Sequence, residues 1–180
     1  SPNLLARNFA PSRPNSLWAG DITELETGAR KWWMAVVIDL YSRRLVGTSL
    51  GDSASAGLVV RAMKEAVQQR RPPRGLIFHS DQGIQYCSDR FRTQLRLLGV
   101  QQSMSRRANC WDNAPIESYF ATLKKELIYT REWTSKRELE AELSSYSDFY
   151  NHQRLHSTLG YSSPEDYESR RRPINQIGRA

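Results

Sequence analysis

The alternation of apolar and polar positions divides the chain into short, distinct elements. Three runs rich in β-branched and aromatic residues, Leu17 to Leu25, Trp32 to Leu40 and Leu45 to Leu50, are separated only by the polar stretches Glu26 to Arg30 and Tyr41 to Arg44. Connections this short join antiparallel neighbours, so the three runs predict a meander. From Ser55 to Gln69 the period changes. Ala56, Val59, Val60, Met63 and Val67 recur at helical spacing, and Pro72-Pro73 stops the helix. Gly75 to His79 then reads as a strand. Ser88 can cap a helix that turns Phe91, Leu95 and Leu98 inward and ends at Gly99. Val100 to Met104 is a fifth strand. Beyond the polar loop Ser105 to Trp111, a long helix is expected from about Asn113 to Tyr129, with Pro115 in its tolerant first turn. Ser135 and Glu138 form a capping box for a further helix, whose Leu139, Leu143, Tyr146 and Tyr150 make a core stripe.

The order is therefore βββαβαβαα. A meander followed by strands reached through helical crossovers gives a mixed sheet in which the first and fourth strands lie parallel and adjacent. The expected class is α/β and the arrangement resembles the ribonuclease-H-like architecture: a five-stranded mixed sheet flanked by helices, with additional C-terminal helices. Residues 1–16, with Pro2, Pro11 and Pro14, read as an extended arm. Residues 17–130 make the core, and 131–180 a helical extension with a basic tail at Arg170 to Arg172. Trp32 and Trp33 are neighbours in one strand and cannot share a face, so one is expected at a covered edge.

Length and composition narrow the setting. At 180 residues the chain can bury a full core without disulfides or a structural metal. Cys87 and Cys110 are its only cysteines and form no C-x-x-C pair, which suits a reducing, cytoplasmic compartment. His79, His152 and His156 lack cysteine partners at zinc spacing. The longest apolar run, Trp32 to Ile38, is far shorter than the ~20 residues of a membrane span, and no secretory signal is visible. The net charge of +7 points to a polyanionic partner.

Candidate chemistry lies where open sheets of this kind carry it, beyond the carboxyl ends of the central parallel strands. Asp21 lies within the first strand, Asp81 just past the fourth and Glu117 in the first turns of the long helix. A carboxylate within a strand is disfavoured unless a cation or hydrogen bonds compensate its burial. Magnesium takes such hard oxygen ligands, and two ions ~3.5–4 Å apart can stabilise both oxygens of an in-line phosphoryl displacement. Asp21 is the candidate bridge. At ~100° per residue, Asn113, Glu117 and Lys124 share one flank of the long helix beside the buried face of Ile116, Tyr119, Phe120, Leu123 and Leu127. Lys124 stands roughly 10.5 Å along the axis from Glu117, placing it on DNA phosphate rather than metal. Arg106, Arg107, Lys124 and Lys125 offer a basic path, and Asn113 is a minor DNA-contact candidate beside its simpler role, with Asp112, as a helix cap. Asp39 reads as a turn cap, His79 as a satisfied strand residue, and Gln82-Gly83 as a tight turn using glycine's permissive backbone.

Three blocks carry a resemblance. Trp18-Ala-Gly-Asp21-Ile-Thr23, Phe78-His-Ser-Asp81-Gln-Gly83-Ile-Gln-Tyr86 and Ser103-Met-Ser-Arg106-Arg-Ala-Asn-Cys-Trp-Asp112-Asn-Ala-Pro-Ile-Glu117-Ser resemble the catalytic blocks of bacterial insertion-sequence transposases of the insertion-sequence-three family, within the retroviral integrase superfamily. Tyr150-Asn-His-Gln-Arg154-Leu-His156-Ser-Thr-Leu-Gly160-Tyr-Ser-Ser-Pro164 resembles that family's C-terminal signature, and the likeness covers about residues 8 to 168. It implies that Asp21, Asp81 and Glu117 are a DDE triad binding two Mg²⁺ or Mn²⁺ ions, with Lys124 the basic residue following the glutamate by seven. It further implies cleavage and transfer of DNA strands at element ends and target, a homo-oligomeric active complex, a nucleoid-associated location, and an N-terminal helix-turn-helix region that precedes this chain. Two positions depart from the family pattern: Ala108, where glycine is usual, and Gly20, where a bulkier residue is common. Two other readings stay open, a metal-dependent nuclease that does not join strands and a non-catalytic DNA-binding module derived from a transposase.

Overall fold

The expected meander is formed by β1 (Leu17–Glu26), β2 (Lys31–Asp39) and β3 (Leu45–Gly51) in a computed structural model that describes residues 11–28, 30–104 and 114–171. The chain continues through α1 (Ala56–Arg70), β4 (Ile77–Ser80), α2 (Ile84–Cys87), α3 (Asp89–Leu97), β5 (Gln101–Met104), α4 (Ala114–Glu126), α5 (Lys136–His152) and α6 (Pro164–Arg170). The sheet order is β3-β2-β1-β4-β5, antiparallel across β3-β2-β1 and parallel across β1-β4-β5. This is the ribonuclease-H-like arrangement.

Helices cover both faces of the sheet, which is why its central strands read as near-continuous apolar runs. Alternate residues of β1 and β2 feed two cores. Leu17, Ala19, Trp32, Met34, Val36 and Ile38 meet α4 and α5 through Ile116, Tyr119, Leu123, Leu139, Leu143 and Tyr150. Trp18, Ala35 and Val37 meet α1 and α3 on the other face, with Leu58, Met63, Phe91 and Leu95. The tryptophan pair follows the same alternation. Trp32 is buried on the α5 face and Trp33 packs against the α1 face, so both are used by a sheet with two covered sides rather than one standing at an edge.

Local chemistry sets the boundaries. Ser55 caps α1 by accepting from Leu58 N–H, and Arg71 closes it in the left-handed region with its N–H on Val67 O at 2.8 Å. Ser88 and Ser135 cap α3 and α5, accepting from Phe91 N–H and Glu138 N–H. At Gly47, a Cβ atom would collide with Ala62 O of α1, so glycine lets helix and sheet approach closely.

Three expectations change. The long helix ends at Glu126 and yields to a 3-10 turn, Ile128–Thr130, whose Ile128 O accepts from the buried Trp133 indole at 3.0 Å. The four-residue α2 and the seven-residue α6 are additions to the expected order. Arg170 and Arg171 belong to the end of α6 rather than to a free basic tail: Arg170 donates to Ser162 Oγ at 3.2 Å, and the Arg171 guanidinium lies 4.3 Å from the centre of the Tyr167 ring.

Candidate active site

β1 and β4 are hydrogen-bonded neighbours only over Leu17↔Ile77, Trp18↔Phe78 and Ala19↔His79. Asp21 and Asp81 each lie two residues beyond the last of these pairs, at matching positions where the strands part. Residues two apart in a strand share a face, so Asp21 projects with Leu17 and Ala19 toward the side covered by α4. Helix α4 brings Glu117 to that side in its first turn.

The three carboxylates sense one another. Burial pushes the Asp21 carboxyl up to about 6, the Ile22 N–H that donates to its Oδ1 at 2.7 Å opposes this, and the charges of Asp81 and Glu117 add to the rise. The Tyr86 ring is buried in the core on the α1 face of the sheet, close enough to sense both aspartates. Burial and then the charges of Asp21 and Asp81 drive its hydroxyl well above the usual phenol range. Tyr86 also packs edge-on to Phe91 and tilted to Phe78, so an aromatic floor fixes the turn that holds Asp81.

That turn uses its glycine in an unexpected way. Gly83 has φ −55°, an ordinary conformation, so the permissive backbone is not what the site needs. A Cβ there would stand 2.9 Å from Asp81 Oδ1, the atom to which Gly83 N–H donates at the same distance. Glycine here permits the close approach of amide and carboxylate, and a side chain would push the Asp81 carboxyl aside. Gly20 is similar, since a Cβ would run into the Phe78 ring. Phe78 fills the space that a bulkier residue before Asp21 would take.

Among the described residues no lysine or arginine makes an ion pair with Asp21, Asp81 or Glu117, and no three His, Cys, Asp or Glu side chains close around a metal position. Each aspartate keeps an oxygen on its neighbouring amide. The donor set nevertheless fits a hard divalent cation: carboxylate oxygens, one raised by burial and like charge, with no lysine or arginine among the described residues paired to offset them. His79 is a buried residue of β4, with Nδ1 3.0 Å from Ser103 Oγ. Asp39 caps its turn, accepting from Tyr41 N–H and Asn15 N–H.

Lys124 is half-buried and Lys125 exposed in the last turn of α4, two turns from Glu117. Arg106, Arg107 and Asn113 lie outside the described residues. Sequence reasoning gave Tyr86 no role, because its burial depends on α2, and a four-residue helix leaves no periodic signal.

Residues 11–110 match a family model described as integrase core domain, and residues 98–164 match a second of the same description. Similar relatives include the transposase for insertion sequence element IS904 of Lactococcus lactis, 41% identical over 168 residues, covering 93% of this chain and 66% of the relative. Another is transposase InsF for insertion sequence IS3A of Escherichia coli, 41% identical over 171 residues, covering 94% and 59%. The chain thus spans about 59–66% of the length of these curated relatives. Among solved structures, the HTLV-2 integrase catalytic core domain in complex with magnesium superposes with a TM-score of 0.69 at 16% identity, covering 87% of this chain and 98% of that one.

Proposed function

Because the chain belongs to the integrase core domain family, we propose that it is the catalytic domain of a DDE transposase, cutting DNA phosphodiesters and joining the resulting ends. The observation that carries this reading is the convergence of Asp21, Asp81 and Glu117 just past the paired stretch of β1 and β4, with no lysine or arginine among the described residues in an ion pair with them. These residues would hold two Mg²⁺ or Mn²⁺ ions, with Asp21, nearest the sheet, as the shared ligand. Bound there, the ions supply the positive charge that stabilises the attacking and leaving oxygens of an in-line displacement.

The protein's own part is placement. Rigid strands fix the two aspartates, and α4 aligns Glu117 with Lys124, which grips a phosphate farther along the strand. Water opens one phosphodiester at an element end and leaves a 3′-hydroxyl. That hydroxyl then displaces at a second phosphodiester and joins the strands, with no covalent enzyme intermediate. Arg106, Arg107, Lys125 and Asn113 complete the DNA path in this reading. A homo-oligomeric complex in the bacterial cytoplasm, at the nucleoid, goes with it. The HTLV-2 integrase core with magnesium is described in both trimeric and dimeric forms. No helix among the described residues is long and apolar enough to cross a membrane.

The test uses Asp21→Asn, Asp81→Asn and Glu117→Gln in Mg²⁺-dependent cleavage and in joining of a pre-cut end. Each variant should keep a cooperative melt and lose both activities by about a hundred- to a thousandfold, the scale on which removing one stabilising group acts. Wild-type-like cleavage in either aspartate variant would remove the site. Cleavage without joining by the wild type would turn the reading into a nuclease.

A further inference from the structure

On the flank of α4 away from the carboxylates lies a cavity of about 390 Å³, closed on its far side by the segment that follows α5. Ser118 and Thr122 line it from α4, Arg154 and His156 from the opposite wall, and Arg43 from the turn between β2 and β3. Among the described residues its lining includes two arginines and no carboxylate. Arg43 is held at φ 62°, a left-handed backbone uncommon for a long side chain. Burial lowers the Arg43 pKa, and its guanidinium makes no ion pair or hydrogen bond among the described residues. Arg154 is matched by Glu126 at 2.5 Å. His156 packs edge-on to Tyr150 at 4.9 Å, and its buried Nε2 has no hydrogen-bond partner among the described residues. After burial, the charges of Arg154 and Arg43 hold the His156 imidazole below its usual pKa, so all three groups share one field. A desolvated cation without a counter-charge is unfavourable, and a bound anion relieves it.

The placement says which anion. At ~100° per residue, Ser118 and Thr122 lie roughly 100–140° around α4 from Glu117, across a helix ~10–12 Å wide. That separation is comparable to the ~12 Å width of the B-DNA major groove. A duplex resting on the exposed strip of α4 can therefore offer phosphates to both flanks at once. We propose that this cavity seats a DNA backbone phosphate, with Arg43 and Ser118 as donors and His156 completing the wall. The proposal rests on the transposase reading and adds a second grip on the same DNA.

The experiment measures duplex binding by fluorescence anisotropy across a salt series. Arg43→Asn keeps a residue that tolerates the left-handed backbone. Ser118→Glu puts a negative charge on an exposed position at the cavity, and Ser144→Glu makes the same charge change in α5, beside β3. Arg43→Asn should make the slope of log K against log salt shallower by about 0.9, the loss of one phosphate contact. Ser118→Glu should bind more weakly than Ser144→Glu. If Arg43→Asn fails to fold, the two glutamate variants decide. Unchanged slope together with equal glutamate variants overturns the proposal. It is also overturned if inorganic phosphate raises the wild-type melting temperature but not that of Arg43→Asn while DNA slopes agree, which assigns the cavity to a free anion. A changed sedimentation of Arg43→Asn with unchanged DNA binding overturns it in favour of an acidic surface on a second copy. The parent reading is scored separately: cleavage lost in Asp21→Asn with an unaltered Arg43→Asn slope and equal glutamate variants sinks only the cavity, and cleavage retained in Asp21→Asn sinks the transposase itself.

Discussion

Asp21 shows how one side chain can be chemically useful and thermodynamically unfavourable at once. Its carboxyl titrates at about 6 in the folded chain against an ordinary 3.8. Between those values the folded protein holds a proton that the unfolded chain has released, so stability falls as pH rises through this window and levels off above it. Two pH units correspond to about 3 kcal/mol at most. Asp39 is also raised to about 6, chiefly by burial, and contributes a slope of the same sign, so the measurement must be a difference. In EDTA, Asp21→Asn should melt above the wild type at pH 7.5, and the gap should close as pH approaches 4. An equal offset at both pH values would show that the buried charge is not the cause. The aspartates themselves were legible in the sequence, since a carboxylate inside an apolar strand needs a reason. Gly83 was half legible: the turn could be foreseen, but the contact with Asp81 Oδ1 arises only when the side chain folds back onto the amide.

At the scale of elements, the sequence signal follows periodicity. β1, β2, β3 and α1 are long enough to show their period, and their cores fall where the apolar residues do. Helix α6 carries no such stripe. It is held by charge, because the Glu168 side chain is 3% exposed, accepts from Arg70 at 2.9 Å and from Ser42 Oγ at 2.7 Å, and lies 3.7 Å from Arg44. Arg44 also pairs with Glu165 of the same helix. An internal glutamate reads as surface in a sequence, so neither the helix nor its docking was foreseen. The network ties α6 to α1 and to the β2–β3 turn. Glu168→Ala leaves Arg70, only 11% exposed, without its best partner and should destabilise by about 3 kcal/mol in urea unfolding. Replacing Glu168 and Arg70 together by leucine should lose less than Glu168→Ala alone. A double replacement as damaging as the sum of both singles would show that the pair is not coupled.

For the whole molecule, the net charge is +7, and the acidic Glu117 and basic Lys124 and Lys125 share one helix. Phosphate contacts dominate non-sequence-specific binding and fade with salt. Duplexes of element-end and scrambled sequence should therefore bind this chain with similar affinity, each weakening about a hundredfold between 50 and 200 mM salt, as for about four phosphate contacts. A large preference for the element end in a competition assay would place sequence reading within these residues.

The parting of β1 from β4 has a mechanical meaning as well. Asp21 remains laddered to Val36 of β2, and Ser80, just before Asp81, remains laddered to Met104 of β5. Asp21 is thus carried by β2, Asp81 directly follows a residue paired with β5, and the β1–β4 ladder stops at Ala19 and His79. The three rungs between β1 and β4 lie behind the carboxylates and hold the two strands at a fixed spacing, so the acidic pair is set by the sheet and not by a contact of its own.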